Sequence, residues 1–129
     1  MGKIIFDLCT AELPPSDNHV YGQKGKIRFM YKEARDWKES MQQFLIHYPK
    51  DFPENKITWG KEENISLKPL KATIAFFLKR DRDVHGSGKL IFDTFQGIVY
   101  KNDSQFLKVE FLKFTDKVHP RVNITIEEI

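Results

Sequence analysis

The sequence predicts an α+β fold: a small single domain, residues 1–129, with a mostly antiparallel or mixed sheet of about four main strands and two helices. Two observations carry this. Two stretches place apolar residues at three- and four-residue steps, and the runs around them are alternating or continuously apolar in the manner of strands. A chain of 129 residues can bury a core without staples, and it shows no internal repeat or low-complexity tract.

In chain order, residues 3–9 (KIIFDLC) read as a strand. Residues 13–30 have the Pro, Asn and Gly content of loops and short hairpin-like strands. They carry Lys24, Lys26 and Arg28 with no acid between them. From Tyr31 the period changes: Ala34, Trp37, Met41, Phe44 and Leu45 form an apolar stripe, a helix of about four turns whose Trp and Met serve the core. Residues 47–66, with two prolines and many charges, read as a loop or ordered insertion. Residues 67–79 form a strand with Ile74, Phe76 and Leu78 on one face and Ala75, Phe77 and Lys79 on the other. A second helix is expected from Lys89 to Gly97, with Ser87 or Gly88 at its N-cap. Strands at 106–114 and 121–127 follow, the latter turning Val122, Ile124 and Ile126 inward.

Composition excludes some classes. One cysteine allows neither an internal disulfide nor a cysteine-rich zinc site, and Cys9 reads as a small buried hydrophobe. No stretch approaches the roughly 18 apolar residues of a membrane span. No leader-like N-terminus is evident, so a cytoplasmic location without a membrane partner is expected. A net charge of +3 and a pI near 8.9 favour an anionic partner.

The chemistry concentrates in RDRDVHGSGK, residues 80–89. In an extended segment Asp81 and Asp83 point to the same side, near enough to share one divalent cation or approach two. A plain solvated strand end with alternating Arg and Asp is the other reading. Lys89 would enter the first helical turn, where a cation is disfavoured by a few tenths of a kcal/mol but well placed to meet a phosphate. Asp93 follows one turn later and can pair with it. Asp103 lies in a polar turn that could return toward the first two acids. A calcium EF-hand loop fails, because Phe92 stands where its bidentate Glu is required and a strand precedes it. His85 has no ligand-like spacing to His19, His47 or His119.

These residues resemble the RusA-type Holliday-junction resolvases, a family of small homodimeric endonucleases. Its motif runs roughly D-x-D-N-x-x-K-x-x-x-D-x-L-x-G-x-x-x-D-D-x-Q. Asp81-Arg82-Asp83 is similar to the opening pair, Lys89 to the lysine, and Asp93 keeps the four-residue step. Gly97 through Asn102-Asp103-Ser104-Gln105 is similar to the closing element, and Pro14-Pro15-Ser16 with Asn18 and Tyr21 to an N-terminal one. Two departures stand out. Val84-His85 replace the family's Asn, with two extra residues before Lys89, and Asn102 replaces the first acid of the closing pair.

The resemblance implies Asp81, Asp83 and Asp103 as catalytic carboxylates holding Mg²⁺ (with Mn²⁺ substituting), Lys89 assisting, and Asp93 in support. It implies a homodimer that nicks opposing strands of a four-way junction. Lys24, Lys26, Arg28, Arg80, Arg82, Lys101 and Asn18 would then contact DNA. The competing readings are a DNA-binding module without catalysis and a nuclease acting on other branched DNA.

Overall fold

The computed structural model describes residues 3–16, 20–46 and 65–129. A four-stranded sheet, ordered β1-β6-β4-β5, is built from β1 (Lys3–Thr10), β4 (Leu70–Leu78), β5 (Phe106–Thr115) and β6 (Arg121–Glu128). A separate hairpin pairs β2 (Tyr21–Lys24) with β3 (Ile27–Met30). The helices are α1 (Lys32–Ile46) and α2 (His85–Phe95). The sheet is mixed: β6 runs antiparallel to β1 and β4, whereas β4 and β5 are parallel and joined through α2. A parallel pair needs such a long crossover, since a tight turn can only reverse the chain.

Alternation decides the faces. Along β4 every second residue from Leu70 to Leu78 is buried and those between are half-buried; β6 buries Val122, Ile124 and Ile126. Phe6 and Leu8 of β1 complete this inner face, against which α1 lays Ala34, Trp37, Met41 and Leu45 and α2 lays Leu90, Ile91 and Phe95. The Trp37 indole N–H donates to the Glu12 carbonyl at 3.0 Å, so the polar end of that ring is satisfied while its body packs.

Three expectations are corrected. Cys9 is exposed, because it follows inward Leu8 and alternation turns it to the outer face. Phe44 is 45% exposed, at the edge of the α1 stripe rather than its centre. The second helix begins at His85, four residues before the expected start, with Val84 at its N-cap and no side-chain cap. Ser87 and Gly88, expected as caps, are inside the helix and fully buried. An added Cβ on Gly88 would stand 2.6 Å from Phe111, so glycine is what lets α2 lie this close to β5. The helix ends as anticipated, with Gly97 at φ 83°.

Candidate active site

Asp81 and Asp83 lie in the bend after the carboxyl end of β4, where crossover folds commonly place functional groups. The bend is strapped from outside: Arg82 Nη2 donates to the Pro14 carbonyl at 2.8 Å and Ser87 Oγ to the Pro15 carbonyl at 2.6 Å. Thus the Pro14-Pro15 segment, remote in sequence, fixes how the chain enters α2.

Each of the two acids already has a partner. Asp81 Oδ1 accepts from Lys113 Nζ at 3.0 Å, and the same ammonium donates to the Arg82 carbonyl at 3.2 Å. Asp83 Oδ1 accepts from the His85 amide at 3.2 Å and meets His85 Nδ1 at 2.6 Å. These bonds, the amide first, hold the Asp83 carboxyl below its usual range.

A pocket of about 360 Å³ runs along α2, lined by His85, Lys89, Phe92, Asp93, Asp103, Phe106, Val109 and Phe111. One side is aromatic and the other carries an ammonium and two carboxylates. Asp93 Oδ2 accepts from the Tyr21 hydroxyl at 2.5 Å, and burial together with that carboxylate pushes the phenol pKa upward. Over the Tyr21 ring stand Arg28 at 4.5 Å and Lys89 at 5.1 Å from its centroid. Lys89 lies in the second turn of α2, so the first-turn dipole argument does not apply to it. The ion pairs among the described residues do not join Lys89 to Asp93; Tyr21 is the partner of both.

Asp103 opens a 3-10 helix, Asp103–Gln105. Asn102 Oδ1 accepts from the Ser104 amide at 3.0 Å, while Gln105 Oε1 accepts from the amides of Lys101 at 2.9 Å and Asn102 at 2.8 Å. Gln105 Nε2 donates to the carbonyls of Ser66 and Lys68. Asn102 therefore has a structural task, capping, that Asn and Asp both perform well. Behind this turn Tyr100 is fully buried and donates to the Phe92 carbonyl at 2.6 Å.

The topology separates the acids. Parallel pairing aligns Leu70 with Phe106 and Leu78 with Thr115, so Asp103 enters β5 at the end of the strand pair opposite to where Asp81 and Asp83 leave β4. The polar turn returns to the middle of α2, meeting Lys89 and Asp93 across the pocket. Asp83 reaches the pocket only through His85, and Asp81 is turned to Lys113. Carboxylate oxygens are the donors Mg²⁺ takes. Among the described residues, however, no three His, Cys, Asp or Glu side chains gather as a set that holds a metal ion. As arranged here, the three acids do not fit a shared cation.

The basic residues divide. Lys24, Lys26 and Arg28 are exposed on the β2–β3 hairpin, whose turn is made by Gly25 at φ 62°; Arg80 and Lys101 are exposed as well. Arg82 is half-buried and holds Pro14. Asn18 lies outside the described residues, as do His19, His47 and most of the 47–66 loop. Sequence reading did not find Tyr21, Lys113 or the Phe92, Phe106 and Phe111 wall as parts of this site. Each reads locally as an ordinary strand or core residue, and only the tertiary fold brings them to α2.

No helix among the described residues is long and apolar enough to cross a membrane. Compared with known proteins, the chain matches the family model described as Endodeoxyribonuclease RusA over residues 12–127. None of the curated proteins matches it.

Proposed function

We propose that this chain, which belongs to the RusA endodeoxyribonuclease family, resolves four-way DNA junctions by paired nicks in opposing strands, in recombination and repair. The observation that carries the reading is the α2 pocket: Lys89, Asp93 and Asp103 share it, and Arg28 of the hairpin that also exposes Lys24 and Lys26 stands over Tyr21, the partner of Asp93. Basic side chains of this kind position a phosphate backbone and make binding salt-dependent.

In this reading the Lys89 ammonium takes a non-bridging phosphate oxygen and stabilises the charge that grows there in the transition state. Asp103, exposed on its rigid turn, orients the attacking water or accepts its proton. Asp83, whose carboxyl the His85 amide and ring hold below its usual range, stands behind His85 at the start of α2. Asp93 supports Lys89 through Tyr21. Mg²⁺, with Mn²⁺ as substitute, is the proposed cofactor and would supply Lewis-acid activation of water and phosphate. Asp81 and Asp83 are the neighbouring carboxylates the β4 bend offers it, and Asp103, placed at the other end of the strand pair, does not join them in this arrangement. To take the ion, Asp81 would leave Lys113 and Asp83 would leave His85. Both contacts are exposed to solvent.

Two nicks related by a two-fold axis call for a homodimer acting in the cytoplasm. In support, β5 is an edge strand, and Leu107, Val109, Leu112 and Phe114 along it are exposed. The test is a panel of synthetic four-way junction, fork and duplex DNA with Mg²⁺ or EDTA, alongside the sedimentation mass. Symmetric Mg²⁺-dependent nicks restricted to the junction support the reading. Equal cutting of forks would shift it to branched DNA in general, and tight binding without cleavage to a binding module.

A further inference from the structure

Tyr21 closes the N-terminal element that carries Asn18, with no chemical role attached to it there, yet it meets both Asp93 and Lys89 of the pocket. Its strand, β2, belongs to the hairpin and not to the main sheet. The preceding Val20 is fully buried, and its carbonyl accepts from the Tyr31 amide at 3.0 Å, so the ring is planted at the hairpin's base. From there the hydroxyl reaches Asp93, and the ring lies under both Lys89 and Arg28.

We propose that Tyr21 is a positioning residue for DNA cleavage, fixing Asp93 through its hydroxyl and holding Lys89 and Arg28 over its ring as one array facing the pocket. The inference rests on the nuclease reading of that pocket.

Lysine and arginine lose much rotamer freedom when they grip a phosphate, and an aromatic face that already holds the cation lowers that cost. Lys89 and Arg28 come from different elements, and two cations repel. A shared ring with Asp93 at its phenol end offsets the repulsion and sets their spacing before DNA arrives. The hydroxyl acts separately: it orients one carboxylate and leaves the ring contacts to the cations untouched. A residue that merely filled space would not divide in this way.

Tyr21→Phe keeps the ring and removes the hydroxyl, whereas Tyr21→Leu removes both. Junction binding is measured in EDTA, where no cleavage occurs, and single-turnover nicking in Mg²⁺, with thermal melts to establish that each variant is folded. Tyr21→Phe should bind as wild type does but nick roughly ten- to a hundredfold more slowly, the loss of one hydrogen bond to a charged group. Tyr21→Leu should lose affinity too and show a shallower salt dependence. Wild-type nicking by folded Tyr21→Phe would overturn the proposal. So would equal loss of binding and rate in both variants.

A readout without DNA separates this from the nuclease reading. The Lys89 ε-methylene protons should lie upfield of the other lysines by the ring current of Tyr21, a shift kept in Tyr21→Phe and lost in Tyr21→Leu. An unshifted Lys89 signal in wild type would overturn the Tyr21 assignment even if the protein cuts junctions. A wild type that cuts no DNA while showing the shift would instead overturn the nuclease reading.

Discussion

Substituting Gly88 by Ala tests where α2 begins and how it packs. On helix propensity alone the change gains about 1 kcal/mol, since Gly is that much worse than Ala in a helix interior. In the folded chain the new methyl would stand 2.6 Å from both Cε1 and Cζ of Phe111. Moving that ring would disturb its edge and tilted contacts with Phe76, Phe92 and His85. Overpacking of this kind costs about 1–3 kcal/mol, so the net expectation is a loss of up to roughly 2 kcal/mol. Chemical denaturation of Gly88→Ala, Phe111→Leu and the double variant measures it. The smaller side chain should relieve the clash, giving a favourable coupling of about 1–2 kcal/mol in the double-mutant cycle. A stabilised Gly88→Ala, or strictly additive effects, would refute the packing argument. Were Gly88 an N-cap instead, replacing it by Ala would cost only a fraction of a kcal/mol, with no dependence on Phe111.

Other expectations follow from the same contacts. Asp116 accepts from the amides of Val118 and His119 and from Arg121 Nη1; these hold its pKa at about 2, below the usual 3.8. A depressed folded-state pKa adds stability above about pH 4 that is lost as pH falls toward 2; Asp116→Asn should therefore flatten the acid limb of a Tm-versus-pH curve, and an unaltered limb would contradict the assignment. Lys113→Met should change stability by less than about 1 kcal/mol, because the pair it breaks is exposed. It should also lower the Mg²⁺ concentration for half-maximal nicking; an unchanged requirement would show that Asp81 is not a ligand. Replacing Lys24 and Lys26 together by Ala should lower the slope of log affinity against log salt by up to about 1.8, at about 0.9 per phosphate contact. An unchanged slope would place the DNA elsewhere.

How much of this was legible in the sequence depended on whether the signal was local. Period-two alternation identified β6 with its inward residues and grouped Ile74, Phe76 and Leu78 of β4 on the face that is buried, because burial of one face imposes that pattern directly. The α1 stripe was equally plain, Phe44 excepted. The start of α2 was not. His85-Gly86-Ser87-Gly88 is poor helix-forming sequence, and what makes it helical is tertiary: the Ser87 bond to Pro15 and the contact of Gly88 with Phe111. Strand direction was also hidden, since β4 and β5 read alike whether they pair parallel or antiparallel. Yet that direction decides the site, as it carries Asp103 to the far end of the strand pair. The motif spacing marked these acids as candidates without showing that Asp103 would meet Lys89 and Asp93 instead of Asp81 and Asp83. Tyr21 was legible only as the end of the N-terminal element, because its contacts with Asp93, Lys89 and Arg28 are made across the fold.

The most direct test of the account is single-turnover nicking of a four-way junction by Asp103→Asn beside Asp83→Asn, with binding measured in EDTA. Asp103→Asn should bind the junction normally but nick at least about a hundredfold more slowly, as expected when a positioned acid or base is removed. Wild-type nicking by Asp103→Asn, with Asp83→Asn inactive, would place the chemistry at the β4 bend and contradict the α2 pocket as the active site.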